Sequence, residues 1–249
     1  MNDPVMQKLL DTVYQIFSGD NTLPDTPVYV KKLSPVEAIG SPGSWDYPLL
    51  RGREILLQAT VRESPGQAYT SSPVPFQGKL QDVLELNLDN MGNRAIFIAV
   101  LNALLRDQKI IEKTVHCRNS DPDKCGQEVA AYLKMKYNPE KIGIAGYQPA
   151  LISALVDYFG PERINVTDLD SDNLNKVFKE VKIKDGITNT NNLIAENSLL
   201  LVTGSVFANN TADPFYKAFQ NSKPIYFFGT TVKGIAHILG LPHICPLGS

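Results

Sequence analysis

Residues 141–149, KIGIAGYQP, decide the fold: an apolar run too short for a helix enters a glycine turn and then meets a proline. The same order recurs three times downstream. INVT at 164–167 ends in Asp168-Leu169-Asp170, LLLV at 199–202 in Thr203-Gly204-Ser205, and IYFF at 225–228 in Gly229-Thr230-Thr231. Continuous apolar runs of this length are strands buried on both faces, the mark of a parallel sheet covered by helices. The segments Pro149–Phe159, Ser171–Val181, Pro214–Asn221 and Val232–Leu239 are the helices expected to cover it. The alternation implies an α/β fold with an open, mainly parallel sheet and right-handed crossovers. Such sheets bind ligands beyond the C-terminal ends of their strands, where this chain carries Gly, Ser, Thr and Asp.

The first half reads differently. Residues 5–17 place Val5, Leu9, Val13, Ile16 and Phe17 at helical spacing. Val28–Ile39 and Arg53–Arg62 are expected as an extended antiparallel pair, with a turn at Ser41-Pro42-Gly43. Residues 63–78 hold three prolines and no periodicity, which predicts a long surface loop, either a flap over the sheet edge or a plain connection. Leu80–Leu86 is a short helix. Asn93–Arg106 is apolar on more than one face, so a buried helix at the seam between domains is expected. A helix over about 124–137 then links an α+β domain at 1–120 to the sheet domain at 121–249.

Composition narrows the function. A hydrophobic content of 43% and a charged content of 20% describe a soluble globular chain. The net charge of −2 and the lack of a basic run argue against nucleic acid. The apolar stretches are too short to span a bilayer, and the N-terminus has no signal-peptide pattern, so no membrane partner is expected. Three cysteines in a chain this size fit a reducing, cytoplasmic setting.

The candidate ligand-binding residues follow from strand ends. Gly146, Tyr147 and Gln148 form the first βα turn, without the GxGxxG spacing of a dinucleotide fingerprint. Asp168, placed 22 residues after Gly146, stands where Rossmann-type proteins hold ribose hydroxyls. Asp170 follows, as a ligand or as a helix cap. Thr203, Gly204 and Ser205, with Gly229, Thr230 and Thr231, offer hydroxyls and amides suited to an anion. Neither loop is a P-loop, and the Gly-x-Ser-x-Gly elbow is missing. Tyr69 and Thr70 come from the 63–78 segment. Asn93 is a site residue or the N-cap of the buried helix. For a soft metal, His116, Cys117 and Cys125 form one loose group and His243 and Cys245 another, lacking CxxC or HxxxH spacing.

Taken together, the stretches GQAYTSSP, GNRAIFIAVLNALL, IGIAGYQPAL, VTDLD, LLVTGSVFANNT and FFGTTVKGIAHILGL resemble the heavy-metal chelation family of uncharacterised proteins over nearly the whole chain. That resemblance implies an enolase N-terminal-like domain, a Rossmann-like domain and a site between them. The leading expectation is a protein that binds a small molecule or a metal complex in that cleft, the ligand being a metal ion or an anionic molecule. The alternatives are a transferase-like enzyme using a nucleotide cofactor, and an oligomeric scaffold whose apolar 239–246 tail meets a second subunit. Whether the chain is an enzyme stays open at this stage.

Overall fold

The computed structural model describes residues 3–41, 47–51 and 54–249. The expected turn at Ser41-Pro42-Gly43 lies outside the described residues beyond Ser41, as does Arg53.

Helix α1 (Pro4–Gly19) starts where the Asp3 carboxylate accepts the Val5 and Met6 amides, and it buries Leu9, Val13 and Phe17. Strand β1 (Pro27–Lys32) runs antiparallel to β2 (Ile55–Val61), with Val28 opposite Val61. The extended expectation for 28–39 holds only to Lys32. Ser34 and Glu37 build a capping box that starts α2 (Pro35–Ile39).

Residues 63–78 are not a loop. Ser64–Thr70 is strand β3, paired with β2 along its full length, and Phe76–Lys79 is β4. The sheet order is β3-β2-β1-β4, so Pro65 sits on an edge strand, where its missing N–H is tolerated. Gly66 is needed because a Cβ there would collide with backbone atoms of Ala99 and Ala103. Helix α3 (Leu80–Leu84) leads to α4 (Met91–Asp107). Its N-cap is Asn90, which accepts the Asn93 amide, so Asn93 is inside the helix.

Helix α5 (Asp121–Lys136) begins a turn earlier than expected, with Pro122 in its first turn. The second half then runs β5 (Ile142–Ala145), α6 (Pro149–Phe159), β6 (Ile164–Asp168), β7 (Val177–Phe178), β8 (Val181–Asp185), α7 (Gly186–Glu196) and β9 (Leu199–Thr203). It closes with α8 (Ser205–Ala208), α9 (Asp213–Gln220), β10 (Ile225–Phe228), α10 (Lys233–Leu239) and β11 (His243–Ile244). The seven strands are ordered β11-β10-β9-β5-β6-β8-β7, all parallel to their neighbours except the β7–β8 pair.

The helix expected over Ser171–Val181 is absent. Asp168 and Asp170 accept the amides of residues 170 and 172, holding that segment in turns. Asn175, Lys179 and Glu180 then have φ of 62°, 50° and 65°, outside the helical region. Helix α7, capped by Asp185, follows instead.

One apolar cluster joins Ile96, Val100 and Leu104 of α4 to Val202, Phe227 and Ile235 of the second half. Another packs Leu133 of α5 and Leu155 of α6 on the opposite sheet face, against Ile144 and Leu201. The buried helix is therefore a floor common to both halves, as its all-round apolar surface suggested. The 239–246 tail is used within the chain. Leu241 is buried, β11 pairs with β10, and Val115 and Ser249 exchange backbone hydrogen bonds. Among the described residues no helix is long and apolar enough to cross a membrane.

Candidate functional site

The strand order reverses between β5 and β9, because the chain continues from β5 toward β6 and from β9 toward β10. Open α/β sheets bind ligands in the crevice at such a point. Gly146 turns there with φ +104°, and a Cβ on it would stand 2.7 Å from Thr203 Cγ2, so the two loops touch. Gly204 approaches the next loop as closely, its Cβ position lying 2.7 Å from the Val232 amide.

Above these loops opens a cavity of about 930 Å³, a size that suits an organic ligand. Gly146, Tyr147, Gln148, Asp168, Asp170, Thr203, Gly204, Ser205, Gly229, Thr231 and Tyr69 all line it. Three expected residues do not. Thr70 is buried, and its hydroxyl accepts the Ser72 amide. Asn93 instead donates to the Asn87 carbonyl. Thr230 is fully buried, and its carbonyl accepts from Asn102.

Two solved structures share this fold. They are crystal structures of proteins of unknown function from the DUF364 family, one from Pyrococcus horikoshii and one from Desulfitobacterium hafniense DCB-2. The first has 14% identity and a TM-score of 0.55, covering 94% of this chain and 82% of that one. The second has 10% identity and a TM-score of 0.51, covering 92% and 83%. No family model and no curated protein matches the chain.

After β5 and β9 the site departs from the anion nest expected at the strand ends, because amides there are already engaged. Gly146 N donates to the Thr167 carbonyl and Gly204 N to the Phe228 carbonyl. Tyr147 N donates to Asp168 Oδ2 at 2.6 Å, and Leu151 N to Gln148 Oε1 at 2.7 Å. Asp168 is likewise engaged. Its Oδ1 accepts the Asp170 amide at 2.8 Å and Asn173 Nδ2 at 3.0 Å. The carboxylate expected to hold ribose instead fixes the loops after β5 and β6.

Sequence reasoning missed Glu54, which enters the cavity from just before β2. Burial raises its carboxyl from 4.5 to about 7, Asp168 and Asp170 add to the rise, and Arg51 opposes it. Among the described residues Glu54 has no hydrogen-bond partner. Its only sequence signal was an acid abutting the apolar run ILL. Asn102 was missed as well. Fully buried in α4, it donates to the carbonyls of Gln67, Thr230 and Thr231 and accepts the Gly234 amide at 2.8 Å. A lone Asn in an apolar helix was the available signal. Tyr69 N donates to Thr231 Oγ1 at 3.0 Å, a second tie between β3 and the loop after β10.

The Cys and His groups converge in part. His116, Cys117, Cys125 and Cys245 line the cavity, and the Cys125 thiol contacts those of Cys117 and Cys245. The Cys117 contact, with burial adding to it, pushes the Cys125 thiol up to about 11, and the Cys245 contact opposes the rise. His243 does not line the cavity, and its Nε2 lies 2.9 Å from the Gly229 carbonyl. Burial lowers both histidines to about 4, leaving them neutral. Among the described residues no three His, Cys, Asp or Glu side chains are arranged to hold a metal ion.

Proposed function

We propose that this chain binds a small organic molecule in the cavity between the β2–β3 hairpin and the C-terminal edge of the parallel sheet. The observation that carries this reading is the cavity itself, about 930 Å³ at the switch point of the strand order, with Tyr69 and Glu54 from one half facing Tyr147 and Asp170 from the other. A nucleotide-cofactor reading draws less support, since Asp168 already accepts three protein hydrogen bonds.

A second reading keeps a metal complex as the ligand. It is favoured by the three thiols on one cavity wall, with Cys125 touching both others. Such a complex would bring ligands of its own to complete the metal shell.

Comparison of native and denatured mass for gently purified protein tests both. Extra mass of organic composition supports the first reading. Metal-containing extra mass that disappears in Cys125→Ser supports the second. A ligand that, in a bound crystal structure, lay away from Gly146, Gly204 and Gly229 would defeat the proposal.

A further inference from the structure

The described residues of the cavity wall carry carboxyl groups and no lysine or arginine, and that asymmetry identifies a ligand class. This inference rests on the binding role proposed above. Four of the described residues lining the cavity carry carboxyl groups: Glu54, Asp168, Asp170 and Asp213. None of the described lining residues is lysine or arginine. The one lining histidine, His116, is neutral because of its burial. Arg51 lies nearby, but its Nη2 donates to Asn173 Oδ1 at 2.8 Å and its guanidinium sits 5.9 Å from the Tyr147 ring.

Two further atoms of lining residues point the same way. Asp170 Oδ2 and Asn209 Oδ1 are fully buried oxygens with no hydrogen-bond partner among the described residues. Buried acceptors in folded proteins nearly always find a donor. One of the two belongs to a carboxylate, whose strongest hydrogen bonds are with positively charged donors. The Gly146, Tyr147, Leu151 and Gly204 amides, which could have balanced an anion after β5 and β9, are held by protein acceptors.

A bare metal cation fits poorly, because the carboxylates do not gather round a common point with other ligands among the described residues. The rest of the wall suits an organic body, with Tyr47, Leu49, Val206 and Phe228 among its apolar surfaces. We infer that the cavity takes an organic cation, an ammonium-bearing molecule whose charged nitrogen meets Glu54 and Asp170 while its apolar part lies against the tyrosines.

Three matched probes separate charge from shape: tryptamine, a cation; tryptophol, neutral; and indole-3-acetate, an anion. Binding is read by methyl NMR on Leu49, Val206 and Ile244, which line the cavity. The expected order is tryptamine tightest, with tryptophol about tenfold weaker, the value of one favourable charge contact of roughly 1.4 kcal/mol. Indole-3-acetate is expected to be weakest. Asp170→Asn should erase most of the tenfold preference for tryptamine over tryptophol. The wild-type comparison stands even if that variant folds poorly. Equal affinities, or a preference for the acetate, would overturn the cation assignment and leave the cavity's binding role intact. No cavity shift from any of the three at millimolar concentration would overturn the assignment and count against the binding role as well.

Discussion

Glu54→Gln should make this protein more stable, and only above a predictable pH. The folded chain holds the Glu54 proton up to about pH 7, while the unfolded chain releases it near 4.5. Between those values the folded state binds more protons than the unfolded one. Stability therefore falls as pH rises through that window, by about 1.4 kcal/mol per pH unit. The whole window would cost roughly 3 kcal/mol, and water entering the cavity lowers this to about 1–3 kcal/mol. Glutamine keeps the shape and carries no charge, so the penalty should vanish. Among the described residues, the groups facing Glu54 are Asp168 at the end of β6, Asp170 beyond it, Arg51 in the preceding segment and Tyr69 on β3. Urea unfolding followed by circular dichroism, at about pH 4 and about pH 8, provides the comparison. The variant should match wild type at the lower pH and exceed it by about 1–3 kcal/mol at the higher. An equal difference at both pH values would trace the effect to packing. A variant less stable than wild type at the higher pH would refute the electrostatic reasoning outright.

Three other substitutions test the scaffold around the cavity. Asp168→Ala strips acceptors from the Tyr147 and Asp170 amides and from Asn173, and should cost about 2–4 kcal/mol in urea unfolding. Asn102→Leu leaves three carbonyls and the Gly234 amide without their buried partner, so a loss of about 3 kcal/mol is expected, with amide exchange quickening in the Gly229–Thr231 loop. Gly66→Ala drives a methyl group into the backbone of α4 at Ala99 and Ala103. It should lower the melting temperature sharply, by about 3 kcal/mol or more in stability, and an unchanged melting temperature would show that α4 is not packed on β3 as described.

The second half was legible because its strands are continuous apolar runs that end in glycine or hydroxyl residues. That signal is local, and it located β5, β6, β9 and β10 together with the edge where their loops meet. The segment after β6 was misread because the strand–helix alternation of the second half called for a helix over Ser171–Val181. The carboxylates of Asp168 and Asp170 offer its backbone amides a competing set of bonds, and those win. Residues 64–70 were misread for the opposite reason. Pro65 and Gly66 discourage a strand by propensity, yet an edge position suits Pro65, and the close approach of α4 requires Gly66. Both conditions are tertiary. Glu54 was invisible for the same reason: a single acid before an apolar run says nothing about the aspartates of another sheet.

The ties between the halves bear on how the cavity would work. Tyr69 N reaches Thr231 Oγ1, and Asn102 joins α4 to β3, to the loop after β10 and to the start of α10. The core beneath is continuous across both halves. Hinge closure usually needs a small or polar interface that can slide, and this one is buried and apolar. The cavity is therefore largely formed before any ligand arrives. A preformed site loses little ordering entropy on binding, but it must also bear the cost of unpaired groups while empty. Glu54 fits that description, because with no hydrogen-bond partner among the described residues it meets its neighbours' charge by holding its proton to about pH 7. An arriving ammonium group would offset the charge of Asp170 and allow Glu54 to ionise. Ligand binding above that pH should then remove the same penalty that Glu54→Gln removes, so the ligand-induced gain in stability should be smaller in the variant than in the wild-type chain.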